Sequence, residues 1–174
     1  MKYLQRPYIQ LVTREDWGAV PPRKKPELLE LPAKMLMLFD TQTEECKTTA
    51  ECKKIVKRLQ DEYMNLKGYQ DIPWNFLIGA DGKAYEGRGW KAKPFKTNLG
   101  NAKQAEWDGR SLDVAYIGDY RYDIEEKPDG IYPTNKAIIA VEKLTDHLTR
   151  KNIICFQTSG VEDFTYDLEA HTYD

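Results

Sequence analysis

The chain has 174 residues and a formal net charge of −2, with 26 Lys and Arg set against 28 Asp and Glu. That length suits one domain with a hydrophobic core of its own. So balanced a charge argues against nucleic-acid binding, which wants a clearly basic face.

No run of about 18 apolar residues is present, the length that a membrane-spanning helix needs. The opening MKYLQRPY has no apolar segment of the secretory-leader kind, which leaves a cytosolic chain or an excised domain. YIQLVTREDWGAVPPR (Tyr8–Arg23) predicts a strand and then a Pro-rich turn. Met35–Phe39 (MLMLF) is continuously apolar, the pattern of a strand buried on both faces. Thr48 and Glu51 stand at capping-box spacing and open a helix that reaches about Lys67. Ile55, Val56, Leu59, Tyr63 and Leu66 fall on one face of it, the face that packs on a sheet. Phe76–Ile78 and Ala84–Glu86 read as two strands of a hairpin joined through Asp81-Gly82, since Asp-Gly supplies the positive φ of a tight turn.

A polar, irregular segment runs from Lys91 to Arg110, and Leu112–Ile117 predicts another strand. Thr134 opens a second long helix with Ala137, Val141, Leu144 and Leu148 on one face. Ser159 and Glu162 repeat the capping-box spacing and predict a short last helix to about Ala170. Strands interleaved with helices make this α/β: a central mixed β-sheet flanked by about three helices, in one domain over 1–174.

Cys46 and Cys52 flank a turn where the first long helix begins. No second ligand pair accompanies them, so a local disulfide is favoured over a zinc ribbon, and with it an oxidising compartment. Cys155 sits among Ile153, Ile154 and Phe156. A buried inert thiol is the favoured reading, an intermolecular bridge the lesser one.

The segment Asp71–Trp90, DIPWNFLIGADGKAYEGRGW, resembles the signature of the peptidoglycan recognition proteins (PGRPs), whose fold is shared with zinc-dependent bacteriophage-type amidases. VTREDWGA, the Met35–Phe39 run, the Cys46–Cys52 pair, AYIGDY (Ala115–Tyr120) and FTYDLEA (Phe164–Ala170) follow in family order. Animal members bridge the same close cysteine pair at the start of the first helix. The family's enzymes end the buried strand in a His-His-Thr phrase, where this chain has Phe39, Asp40 and Thr41. They carry tyrosine where this chain has Trp74. Their Gly-Ala-His-Thr phrase reads here Pro94, Phe95, Lys96, Thr97, and their late Gly-His phrase has no counterpart. Ser159 falls near an enzyme cysteine ligand, and serine there marks non-catalytic members.

A catalytic zinc needs about three protein ligands, and this chain has only two histidines. His147 lies within the second long helix and His171 in the C-terminal tail. Asp40 has no second carboxylate at a recognisable spacing. Cys155 has no neighbouring histidine to activate it, and Ser111 and Ser159 lack a nucleophile-elbow context. No catalytic residue, metal or cofactor is therefore expected.

The family holds glycan and stem peptide in a cleft walled by the loop after the Gly-Trp dipeptide. By that resemblance Arg88 and Lys96 are candidates for peptide carboxylates, and Asn101 for a peptide backbone. Trp74 and Trp90 either stack on the ligand or pack in the core. Against an open cleft stands Ala102–Arg110 (AKQAEWDGR), longer than the family's passage between these elements. Trp107 and Arg110 then either anchor a partner protein, plug the groove, or fold over their own domain. The function implied is a non-catalytic innate-immunity domain of insect immune-receptor type. It would modulate peptidoglycan sensing by forming a heterodimer with a related receptor domain. The alternatives are a direct receptor for a peptidoglycan fragment and, last, a residual zinc amidase. The implied setting is extracellular, as a receptor ectodomain or a secreted protein.

Overall fold

Short-range signals decide where each element begins. In the computed structural model, which describes residues 8–95, 109–120 and 132–155, three threonines cap three helices. Thr13 precedes α1 (Arg14–Trp17), Thr48 precedes α2 (Thr49–Asn65) and Thr134 precedes α3 (Asn135–Arg150). The first two are reciprocal capping boxes, with Asp16 and Glu51 reaching back to the cap amides. Side-chain oxygens thereby satisfy amides that the first helical turn leaves orphaned. Hydrogen bonds to Thr13 and Lys47 backbone amides hold the Asp16 and Glu51 carboxyls below their ordinary range. α1 departs from the turn expected here, although Thr13-x-x-Asp16 is itself a start signal.

The strands are β1 (Leu11–Val12), β2 (Met35–Asp40), β3 (Phe76–Ile78), β4 (Ala84–Glu86) and β5 (Ser111–Tyr116). They form a mixed sheet in the order β1-β4-β3-β5-β2. Among these described strands only β3 and β4 pair antiparallel, as the Asp81-Gly82 hairpin requires, and Gly82 takes a φ of 81° in that turn. The other pairs, β1 with β4, β3 with β5 and β5 with β2, are parallel.

Alternation sends strand side chains to opposite faces. Phe76, Ile78, Leu112 and Val114 pack under α3 with Ala137, Val141, Leu144 and Leu148. Leu77, Tyr85, Ala115 and Ile117 pack under α2 with Ile55, Val56 and Leu59. Three expectations are corrected here. Met35–Phe39 is not buried on both faces: among the described residues it is an edge strand, with Leu36 alone buried, whereas all six residues of β5 are buried. Leu66 lies past the last turn of α2 as its C-cap and is exposed. Cys155 is exposed as well, because Ile153 and Ile154 take the buried positions and Cys155 donates its amide to the Ala33 carbonyl. The expected last helix, with Ser159 and His171, lies outside the described residues.

Two buried groups tie the layers together. Cys46 and Cys52 are joined by a disulfide at the start of α2. Asp71 (2% exposed) accepts both guanidinium nitrogens of Arg14 at 2.9 and 3.2 Å, the Gln60 amide at 3.0 Å and the Ile72 N–H at 2.8 Å. Truncating one member of such a buried ion pair strands the other. Asp71→Ala should therefore lower stability by about 3 kcal/mol, read as a drop in the urea midpoint.

Two buried phenols contribute to the response to alkaline pH. Burial pushes Tyr85 and Tyr120 up, reinforced by hydrogen bonds from Tyr85 to Asp81 (2.6 Å) and from Tyr120 to Glu45 (2.9 Å). A raised phenol stays neutral in the fold while the unfolded chain ionises near pH ~10. Stability is thus whole below that pH and falls above it. Replacing both tyrosines with Phe should flatten this alkaline decline, measured by urea unfolding at pH values on either side of about 10.

Candidate functional site

The segment after β4 is fixed before any ligand arrives. Asn75, fully buried, donates its amide to the carbonyls of Gly89 (2.8 Å) and Ala92 (2.7 Å), and its Oδ1 accepts the Asp113 N–H at 2.8 Å. The Asn75 carbonyl accepts the amides of Gly87 and Gly89, and the Trp74 carbonyl accepts that of Arg88. A Cβ on Gly87 would stand 2.2 Å from the Trp74 carbonyl oxygen, so only glycine permits this approach. Leu28 bridges Ala92 in antiparallel fashion, drawing the 27–29 segment alongside.

On this frame Arg88 is buried, its side chain only 4% exposed. Its Nε donates to the Lys93 carbonyl at 2.8 Å, and its guanidinium lies 3.9 Å from the Phe95 ring centroid. One terminal nitrogen is 3.9 Å from Asp71. Burial pushes the Arg88 pKa down and the nearby Asp71 charge opposes that shift. Aromatic rings continue from Phe95: Tyr69 at 5.6 Å, then Tyr63 at 5.2 Å from Tyr69, then Trp74 at 5.3 Å from Tyr63. Beside this row opens a cleft of about 360 Å³ with Tyr69, Arg88 and Phe95 in its wall and Lys24, Lys25, Glu27 and Lys93 at its rim. Lys93 pairs with Glu27 at 3.2 Å. Four cationic side chains against one carboxylate suit an anionic or carboxylate-bearing ligand laid on aromatic faces.

The sequence candidates do not form one site. Trp74 is 4% exposed and wedged against Tyr63 in the α2-side core, so it packs rather than offering a face to a ligand. Trp90 is 36% exposed, with Lys91 over its ring at 4.9 Å, and lines a different cavity, below α3. Between Arg88 and Trp90 the chain passes through Gly89 at a φ of 72°, which turns the two side chains apart. Arg88 alone of the three reaches the cleft. Arg110 is exposed, and its carbonyl accepts the Lys34 amide. Lys96, Asn101 and Trp107 lie outside the described residues. The sequence reading missed Tyr69, Asp71, Asn75 and the lysines of the 24–25 segment. Only Asn75 carried a local hint, a polar residue opening an apolar strand.

At the positions matching the enzymes' first ligand phrase, the side chains have other duties. Phe39 packs against the α2-side core. Asp40 accepts the Tyr120 N–H at 2.9 Å. Thr41 meets Thr43 at 2.7 Å and accepts the Gly118 N–H at 3.1 Å. Among the described residues no group of three His, Cys, Asp or Glu side chains could hold a metal ion. The described donors at these positions do not fit a zinc.

Fold and cleft together define an amidase-type α/β domain, and comparison with known proteins agrees. The family model described as N-acetylmuramoyl-L-alanine amidase matches residues 30–161. The chain belongs to that family, within it to the peptidoglycan recognition proteins of innate immunity. Peptidoglycan-recognition protein LC of Drosophila melanogaster is 38% identical over 113 residues, 65% of this chain and 21% of that protein. The ectodomain of the Drosophila transmembrane receptor PGRP-LCa superposes with a TM-score of 0.74 at 30% identity, over 91% of this chain and 93% of that one. Peptidoglycan recognition protein-LE, solved in complex with tracheal cytotoxin, gives a TM-score of 0.71 at 28% identity, over 83% of this chain and 76% of that one. Against the curated relatives the chain is short, spanning 21% of one, 40% of another and 52% of a third.

Asn75→Ala should release the loop that carries Arg88 and Phe95. Hydrogen exchange at the Asp113 amide, which loses its acceptor, should speed up by at least about tenfold, the equivalent of 1.4 kcal/mol.

Proposed function

We propose that this domain is a non-catalytic peptidoglycan recognition protein that modulates peptidoglycan sensing by pairing with a related receptor domain. The observation that carries the reading is the refilling of the enzymes' ligand positions. Phe39 and Asp40 stand where histidines stand in the amidases; Phe39 packs against the α2-side core and Asp40 accepts the Tyr120 N–H. A phenylalanine offers a metal nothing, and a zinc with fewer than about three protein ligands has no catalytic geometry.

The modulatory half of the reading rests on the longer Ala102–Arg110 segment, with Trp107 and the exposed Arg110 as partner anchors. An extracellular setting is supported by the Cys46–Cys52 bridge, a bond that persists in oxidising compartments. The likeness to a receptor ectodomain points the same way. Among the described residues no helix is long and apolar enough to cross a membrane.

One observation favours a second reading, direct reception of a peptidoglycan fragment. The Arg88–Phe95 cleft is cationic and aromatic, and the relative LE was solved with a monomeric diaminopimelic acid-type peptidoglycan.

Calorimetry with a defined muropeptide, on this domain alone and beside a groove-bearing relative, separates the two. The modulator should bind no muropeptide alone yet capture the relative, and capture should weaken at least about tenfold in Trp107→Ala. Micromolar muropeptide binding by the isolated domain, lost in Arg88→Ala, would instead establish the direct receptor. Zinc retained in stoichiometric amount after dialysis would return the amidase to contention.

A further inference from the structure

We propose that the α3 side of the sheet carries a second binding site, for a free single-chain amphiphile with an anionic head group. A cavity of about 460 Å³ opens between β1, the end of β4 and the last turns of α3. Its volume lies within the range of small-molecule sites. It is separate from the Arg88 cleft, which opens beside Tyr69 and Phe95 on the edge next to α2.

Its floor is core. Phe76, Leu144, Leu148 and Ile153 reach it, each no more than 6% exposed. Its mouth is also apolar, which is unusual for a surface in water: Leu11 is 46% exposed, Tyr8 76% and Trp90 36%. Apolar side chains gathered around an apolar hollow mark a place where something apolar is received. An extended hydrocarbon tail fits the floor of Phe76, Leu144, Leu148 and Ile153, which offers it no side-chain polar group to leave unsatisfied.

The rim selects the charge of the head. His147, in the last turn of α3, and Lys151, its C-cap, both line the mouth. The Lys91 ammonium lies over Trp90 at 4.9 Å. Glu86, a carboxylate in the same wall, already accepts the Arg14 amide at 3.2 Å. Asp146 on α3 is paired with Arg150 at 2.9 Å. The carbonyls at the C-terminus of α3 are occupied too: those of His147, Leu148 and Thr149 accept the amides of Lys151, Ile153 and Asn152. The helix end therefore has few open acceptors to repel an anion. Among the described residues around the mouth the ammonium groups of Lys91 and Lys151 outnumber the one carboxylate, Glu86, so a carboxylate or sulfate head is favoured over an ammonium.

The test is calorimetric titration of the whole chain with sodium dodecanoate below its micellar concentration. One saturable site is expected. Leu11→Glu, at an exposed position, should weaken binding at least tenfold, and Lys151→Glu at least threefold, with the melting temperature of both variants unchanged. Dodecyltrimethylammonium should bind the native chain at least tenfold more weakly than dodecanoate. No saturable uptake, uptake indifferent to Leu11→Glu, or equal uptake of the cationic surfactant would overturn the site. Binding to phosphatidylglycerol vesicles without binding to the monomer would replace it with adsorption to a lipid surface. Sedimentation showing a dimer abolished by Leu11→Glu would replace the amphiphile with a second copy of this chain.

Discussion

Asp71 is the constraint on which the rest of this domain hangs. A carboxylate so deeply buried is tolerated only where donors surround it. Here Arg14 at the head of α1 and Gln60 on the buried face of α2 supply donors from other elements, and the neighbouring Ile72 amide supplies a third. Arg14 spends its remaining donors on the carbonyls of Gly87 and Val20, and Gln60 closes a two-way pair with the backbone of Val20. One charge thus fixes the N-terminal segment, α2 and the exit of β4 relative to one another.

The cleft inherits that arrangement. Arg88 follows Gly87 directly, so the position of its guanidinium depends on the carbonyl that Arg14 grips and on Asp71 beyond it. Asn75 holds the far side of the same loop through the Gly89 and Ala92 carbonyls. Arg88 is then sandwiched between a carboxylate and the Phe95 ring. A cation held between these two partners has little side-chain entropy left to lose.

The family's fold is kept, and the side chains at the end of β2 are engaged in holding it. Where a metal site would need converging donors, this chain has side chains that serve the fold. Phe39 adds to the core, Asp40 holds the backbone of Tyr120, and Thr41 holds that of Gly118. Each of these three side chains is bonded or packed within the fold.

Much of the fold was legible in the sequence. Caps and periods marked α2 and α3 because Thr48, Glu51 and Thr134 act on amides within one turn, and Asp81-Gly82 marked the hairpin because its backbone angles are local. The phrase order carried the family, and Phe39, Asp40 and Thr41, set against the enzymes' His-His-Thr phrase, carried the doubt about metal. Tertiary structure alone decided the remainder. Met35–Phe39 looked like the most buried strand, yet strand order is set by long-range pairing, and β5 took that place. Trp74, Arg88 and Trp90 stand close in sequence, but the pleat and the positive φ of Gly89 send them to a core, a cleft and a separate cavity. The meeting of Arg14 with Asp71, 57 residues apart, leaves no trace in any local window. A period or a cap is a property of neighbours along the chain, whereas a site is a property of neighbours in space.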